Sequence, residues 1–372
     1  MLQSGAFFAA ILLSVTFNIF AQNFPQMKNL RHASLEEIQA LMADWGEPRF
    51  RATQIYEWIW KKHAGDIDAM TNLSRSLRDQ LREAFFIPKV SINQSQFSED
   101  GTVKSGFKLH DGRLIEGVII PTEKRMTACV SSQVGCSLSC KFCATGYLAR
   151  SRNLEFDEIV DEVTLLNAQA QEIFGRHLSN IVFMGMGEPL LNYKNVMRSI
   201  AQITSPDGLG MSPRRITLST AGVAKMIKQL GDDAVRFKLA LSLHAANDIK
   251  RNEIMPINES NNLQSLTEAL NYFYQKTKNE ITFEYILFKN FNDSQKDADE
   301  LVKIYRKVPA DLVNIIEYNA IDQADFAKPE EDVTLQFMRY IESKGVNARL
   351  RRSRGKDIDA ACGQLANNAA KQ

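Results

Sequence analysis

The sequence predicts an α/β chain in which a small N-terminal helical domain and a few short strands precede a parallel sheet, open or closed into a barrel. Three observations carry that prediction. Capped helical patterns fill residues 34–84, strand-like apolar runs alternate with helical patterns from residue 155 to 351, and Cys129, Cys136, Cys140 and Cys143 crowd together at the head of that alternation. Strands separated by helices of about 10–15 residues pair in parallel, because each helix returns the chain to the same sheet edge.

In chain order, residues 1–26 carry no charge, and Ala6 to Ala21 is almost wholly apolar. That run falls short of the ~20 apolar residues that span a bilayer. It ends in a cleavage-like Ile19-Phe20-Ala21-Gln22, yet Met1-Leu2-Gln3-Ser4 lacks the Lys or Arg of a signal peptide. Charged, amphipathic sequence begins at Met27-Lys28, so 1–26 is expected to be a mis-annotated start or a signal-like extension. Ser34 with Glu37 three residues on is a capping box, and Ile38, Leu41 and Met42 follow at helical spacing. Gly46-Glu47-Pro48 breaks that helix; Ile55, Trp58 and Ile59 form the next apolar face, and 73–86 supplies a third helix. Residues 27–89 are thus a helical accessory domain. Across 90–120, the runs 104–109 and 113–120 flank Asp111-Gly112, a hairpin signal. Helices are then expected at 155–174, 192–204, 223–231, 262–277, 295–307 and 331–344. Strands are expected at 181–186, 216–220, 237–243, 281–288, 312–318 and 346–351. These make 121–350 the parallel domain and leave 351–372 as a tail carrying Cys362.

The composition excludes several classes. With 44% hydrophobic and 24% charged residues among 372, the chain is neither disordered, fibrous nor a multi-pass membrane protein. A net charge of +1 gives no global pull toward nucleic acid, so any polyanion site must be a local cluster. Five cysteines are too few and too unevenly placed for a disulfide scaffold. A secreted, disulfide-stapled binding protein is suggested only by the N-terminus.

Cys136-Ser-Leu-Ser-Cys140-Lys-Phe-Cys143 is a three-thiolate loop. Thiolates ligate iron–sulfur clusters, and three ligands on a cubane leave one iron open to a small molecule. Structural zinc wants four ligands; no His lies close by, although Cys129 could serve as the fourth. The C-x3-C-x2-C spacing at the start of a βα run resembles the radical S-adenosylmethionine (SAM) family. The resemblance implies a partial (βα)6 barrel, a [4Fe-4S] cluster held by these three cysteines, and SAM on the fourth iron.

In parallel barrels, sites lie at the C-terminal strand ends. Gly185-Met-Gly187-Glu188-Pro189, Ser219-Thr-Ala-Gly222, Ser242-Leu243-His244 and Asn319 all occupy such ends. Each alone reads as a cap or turn. By resemblance, Gly187, Glu188, Ser219, Ser242, Leu243, His244 and Asn319 line the SAM pocket.

Cys362 sits in Arg354-Gly-Lys-Asp-Ile-Asp-Ala-Ala-Cys-Gly-Gln-Leu365, flanked by Arg349, Arg351, Arg352, Arg354 and Lys356. Nearby cations favour the thiolate, although a lone Cys is more often a small buried hydrophobe. Together with Cys129, the cluster loop and the strand-end motifs, this tail resembles the RlmN family of adenine-C2 methyltransferases, over about residues 30 to 366. Ile316-Glu317-Tyr318-Asn319 departs from the apolar-Pro-Trp-Asn found in many members; the Asn is kept. The resemblance implies methylation of C2 of adenosine in 23S rRNA and tRNA, with two SAM per turnover. Cys362 would take a methyl from one SAM, and a radical from the second would remove a hydrogen atom from it. The resulting methylene would join C2, and Cys129 would then release the product, leaving a transient Cys129–Cys362 disulfide. Glu116, an acid in an apolar strand, is expected to act as a base or proton relay; otherwise it is an outward-facing strand carboxylate. An electron donor such as a flavodoxin or ferredoxin, a cytoplasmic location, a monomer and no membrane are also expected. RNA contacts are expected at Arg150, Arg152, Arg214, Arg215, the tail cations, and Arg49, Arg51, Lys61 and Lys62 beside Trp58 and Trp60. The alternative is C8 methylation by the Cfr-type relative, with the same cysteines and cofactors.

Overall fold

The computed structural model describes residues 27–366, and the 1–26 extension, with both readings of it, lies outside the described residues. Two compact units divide at Lys89/Val90. The first begins with β1 (Lys28–Asn29), runs through α1 (Leu35–Asp44), α2 (Phe50–Trp60) and α3 (Arg75–Ala84), and closes with β2 (Phe85–Phe86), which pairs in parallel with β1. Both halves of the Ser34 capping box form: Ser34 Oγ accepts from Glu37 N at 3.1 Å, and Glu37 Oε2 accepts from Ser34 N at 2.7 Å. Ile38, Met42, Ile55, Ile59 and Leu77 are fully or almost fully buried in its core. Trp60 joins that core, which corrects its expected place on an RNA-facing surface. Trp58 stays partly exposed, with Lys62 Nζ 3.8 Å from its ring centroid.

The second unit opens with a meander of β3 (Ser91–Phe97), β4 (Val103–Lys108), β5 (Leu114–Pro121) and β6 (Met126–Cys129), each antiparallel to the strand before it. A small pair, β7 (Gln133–Val134) and β8 (Arg152–Asn153), brackets the cysteine loop. Alternation follows as α4 (Phe156–Phe174), β9 (Asn180–Phe183), α5 (Tyr193–Thr204), β10 (Ile216–Thr220), α6 (Ala224–Asp232) and β11 (Lys238–Ser242). It continues with α7 (Asp248–Ile254), α8 (Leu263–Thr277), β12 (Ile281–Leu287), α9 (Gln295–Lys307), β13 (Leu312–Glu317), α10 (Glu331–Ser343) and β14 (Ala348–Arg351).

All the longer strands of this unit form one ten-stranded sheet, β14-β13-β12-β11-β10-β9-β6-β5-β4-β3. From β6 to β14 it is parallel, through six helical crossovers, and β14 and β3 are left as edges. This is a partial (βα)6 barrel. The hairpin strands of 90–120 do not stand apart but extend this sheet through the β5–β6 pair. Besides the two-residue strands β1, β2, β7 and β8, which no periodicity can show, β6 and α7 had no sequence signal. Four-residue β6 is too short to show alternation, and α7 carries a polar face that resembles a loop. The parallel strands lie between layers, and all seven residues of β12 are buried. That burial makes Phe283, with no exposed surface, a test of the core. Phe283→Ala is expected to cost about 3–5 kcal/mol in urea unfolding.

Candidate active site

The C-terminal strand ends and the cysteine loop surround a cavity of about 150 Å³. Cys136, Cys140 and Cys143 all line it, as do Gly187, Glu188, Ser219, Ser242 and His244. The loop is wound tightly, since a Cβ at Gly146 would lie 2.8 Å from the Cys140 carbonyl oxygen. Burial pushes all three thiols up, Cys136 to about 11, so without a positive ligand they stay protonated. Among the described residues no three His, Cys, Asp or Glu side chains gather as around a single ion. The cysteines instead ring one cavity, beside buried Leu138 and Phe142, which is the donor set a cubane requires.

Opposite the loop, Gly187 adopts φ +92, and a Cβ there would meet Gln133 Cβ at 2.4 Å. Only glycine lets Gln133 Oε1 accept from Glu188 N at 2.9 Å. The Glu188 carboxylate accepts from Ala221 N at 2.7 Å and from Leu190 N at 3.0 Å. Burial nevertheless raises it to about 7. Ser219 Oγ and Ser242 Oγ lie 3.3 Å apart. His244 accepts from Ile286 N through Nδ1 at 3.1 Å and meets Phe142 edge to face, with ring centroids 4.7 Å apart. Burial and then the nearby Arg251 cation depress it to about 3, so the imidazole is neutral.

Two of the seven residues expected to line this cavity do not. Leu243 is fully buried and is not among the residues lining the cavity, whereas Ser242 and His244 on either side of it are. Asn319 lies beyond β13, and its Nδ2 donates to the Cys362 carbonyl at 3.2 Å. At the departure beside it, the Tyr318 ring packs 5.2 Å from Phe288 and 6.1 Å from Phe326, centroid to centroid.

A second cavity adjoins the first, lined by Cys129, Arg351, Arg352, Ser353 and Arg354. Met184, Ile316, Cys362 and Gly363 line both. Cys362 therefore stands on the wall between them, and Cys129, at the end of β6, faces one of them. All five cysteines are free thiols, so the disulfide named in the sequence reading is not a bond of this structure. Burial pushes Cys129 well above the ordinary thiol range, and Arg351 is the cation that opposes it. Arg351 stays charged: burial works against it, but Cys362, Glu284 and Cys129 more than offset that. Glu284, which lies 3.4 Å from Arg351, is itself held by Asn314 Nδ2 at 2.7 Å.

Glu116 points inward, which rules out the outward-facing reading. It is buried 3.9 Å from Lys104 Nζ, and its Oε2 accepts from Ala366 N at 3.0 Å. Several expected RNA contacts are engaged within the protein. Arg152 is paired with Asp111 and Glu158, Arg352 with Glu317 and Glu331, and Lys356 with Glu317.

Two sequence families match this chain. Residues 28–87 match the ribosomal RNA large subunit methyltransferase N-terminal domain, and 130–302 match the radical SAM superfamily. A dual-specificity RNA methyltransferase RlmN of Cytophaga hutchinsonii is 56% identical over 339 residues, covering 91% of this chain and 93% of the relative. The chain belongs to the RlmN family. A further RlmN, from Salinibacter ruber, is 43% identical over 93% of this chain and 95% of its own. The crystal structure of a radical SAM methyltransferase from Sphaerobacter thermophilus superposes with a TM-score of 0.84 at 38% identity, over 91% of this chain and 99% of that one. The chain is therefore a radical SAM methyltransferase, with a [4Fe-4S] cluster and SAM as cofactors.

Three site residues escaped sequence reading. Met184 and Glu284 look like ordinary strand residues, and Arg251, in Ile249-Lys250-Arg251-Asn252, looks like part of a solvated helix face. Arg251 is instead fully buried, donating to the Leu243, Ser242 and Ala221 carbonyls and to Asn258. It fastens the β10 and β11 strand-end loops together. His244 supplies a test with a defined sign. Below about 6.5 the unfolded chain takes a proton that folded His244 refuses until about 3, so this group lowers stability as pH falls through that window. His244→Gln is expected to lose about 2 kcal/mol less stability than the wild type between about pH 7 and about pH 5 in urea unfolding.

Proposed function

We propose that this RlmN-family enzyme methylates C2 of adenosine in both 23S rRNA and tRNA, with Cys362 as the methyl carrier. The observation that carries this reading is the placement of Cys362 on the wall shared by the two cavities. The cluster and SAM supply a methyl group and, on one-electron reduction, a carbon radical able to take a hydrogen atom. Cys136, Cys140 and Cys143 hold the cluster; Gly187, Glu188, Ser219, Ser242 and His244 surround SAM. C2 of adenine has no lone pair, so direct displacement has no nucleophile, and the methyl must reach it on a protein sulfur.

In this cycle the Cys362 thiolate accepts the methyl group on the cluster side. The activated carbon is presented to adenine on the Cys129 side. Bonding to C2 leaves a radical adduct, which gives up one electron, for which the cluster would be the acceptor, and the C2 proton. The Cys129 thiolate then attacks the Cys362 sulfur and breaks its bond to carbon. The carbon left on C2 takes a proton to become the methyl group, and the two sulfurs end as a disulfide. A disulfide of that kind is transient in a reducing cytoplasm, where we place the enzyme. Arg351, which stays charged, lines the same cavity as both sulfurs. Glu116 serves as proton acceptor or relay and would first have to release the Ala366 N–H. The target adenosine must be splayed from its fold to enter. A flavodoxin or ferredoxin supplies electrons to a monomeric enzyme, and no helix among the described residues is long and apolar enough to cross a membrane.

Anaerobic reaction of the reconstituted enzyme with unmodified rRNA and tRNA, followed by nucleoside mass spectrometry, tests this. 2-Methyladenosine in both RNAs is the expected product; 8-methyladenosine would move the chain to the Cfr type. Cys129→Ala is expected to leave RNA covalently attached to Cys362, visible as a shifted band on a denaturing gel. Glu116→Gln is expected to keep Cys362 methylation while slowing product release by about 10²-fold or more.

A further inference from the structure

The segment carrying Cys362 has little regular structure beyond the turn Lys356–Ile358, and Gly355, Asp359 and Gly363 all adopt positive φ. Something else must fix the sulfur on the cavity wall. The turn between β3 and β4, residues 98–102, lies more than 250 positions away in sequence yet exchanges hydrogen bonds with the start of this segment in both directions. Asp100 Oδ2 accepts from Gly355 N at 2.9 Å. In return, Asp357 Oδ1 accepts from Ser98 Oγ at 2.6 Å, and Asp357 Oδ2 from Glu99 N at 3.1 Å.

Steric fit supports the same contact. Gly355 sits at φ +66, and a Cβ there would lie 2.9 Å from the Thr102 methyl and 2.7 Å from Ala360 Cβ. The backbone thus presses onto the turn as only glycine can. One strand further along, Lys104 Nζ reaches the Asp359 carbonyl at 3.4 Å. Partial burial of the Asp100 carboxyl works against its charge, but hydrogen bonds led by those from Thr102 and Gly355 overcome this and hold it down at about 2. It is therefore ionised, and these are charge-assisted bonds, among the stronger kinds available. Neither Asp100 nor Asp357 lines either cavity, so they cannot act on cofactor or base directly.

We infer that the 98–102 turn is a clasp, with Asp100 and Asp357 as positioning residues that set where Cys362 stands. The inference rests on the role of Cys362 proposed above. It gives the meander in front of the barrel a purpose: β3 and β4 carry a fixed anchor for the tail.

The test uses the full chain with its cluster reconstituted, comparing wild type, Asp100→Ala, Asp357→Ala and Asp100→Asn. Three quantities are read: the rate of Cys362 alkylation by iodoacetamide at the peptide level, the rate at which Cys362 gains a methyl from SAM, and RNA-independent SAM cleavage to 5′-deoxyadenosine. Each Ala variant is expected to alkylate about tenfold faster and to methylate about tenfold more slowly, while Asp100→Asn, which keeps an acceptor for Gly355 N, stays near wild type. SAM cleavage and cluster content are expected to hold within about twofold, since Cys136, Cys140, Cys143 and the strand-end residues of that cavity are held by other elements than the tail. Unchanged alkylation in both Ala variants overturns the clasp. So does a fall in cluster content and SAM cleavage that matches the methylation loss, which would make the turn a general support. If wild-type Cys362 gains no methyl at all, the carrier role fails, and alkylation alone decides the clasp.

Discussion

The barrel can hold cofactor residues rigidly on strand ends, but Cys362 lies past the last strand, so its place depends on hydrogen bonds lent by other elements. Ala144 N donates to the Gly363 carbonyl at 2.7 Å, and Thr145 Oγ1 donates to the Leu365 carbonyl at 2.6 Å. Both donors follow Cys143 directly. The cysteine loop therefore grips the tail on one side of the sulfur, while Asn319 holds the Cys362 carbonyl itself and Glu116 holds Ala366 N. Backbone groups of an irregular segment must find partners when buried, and Cys362, Gly363, Leu365 and Ala366 find theirs around the site. The same bonds that satisfy the tail also fix which sulfur faces which cavity.

Buried charge organises the rest of the site. Arg251 has no exposed surface, and its neighbours are mainly backbone carbonyls, whose dipoles compensate a cation without needing a carboxylate. Glu188 does the converse, binding N–H groups from two loops. The two residues meet at one residue: Arg251 takes the carbonyl of Ala221 and Glu188 its N–H. A single peptide segment is thereby held between a buried cation and a buried carboxylate, which gives the loop after β10 one conformation. Removing either would leave the other side of that segment unpartnered, a cost greater than the bond alone.

Legibility in the sequence followed periodicity and motif. Strands such as 281–287 and 216–220, and helices such as 295–307, were readable because apolar spacing is set by burial on both faces of a sheet or one face of a helix. The cysteine loop was readable because its ligands are close in sequence. What could not be read was long-range pairing. Nothing about Asp100 or Arg251 in isolation distinguishes a surface charge from one spent on backbone groups far along the chain. The Leu243 side chain is buried away from the cavity that its neighbours Ser242 and His244 line.

Charge in the tail shows the same limit and has a consequence for substrate binding. The run Arg349 to Lys356 looks like a polyanion patch, yet Arg352 and Lys356 share Glu317, and Arg354 donates to the Asp100 and Pro121 carbonyls. Glu317 stands in the position where the RlmN-type motif departs from the common pattern, so the acid that interrupts it also anchors two tail cations. Cations already satisfied by carboxylates contribute little counterion release on meeting RNA. Arg351 differs: it lines the second cavity, and its field falls on the two sulfurs. The tail's basic residues thus divide by role. Arg352, Arg354 and Lys356 bond within the protein, and Arg351 lines the cavity that holds Cys129 and Cys362.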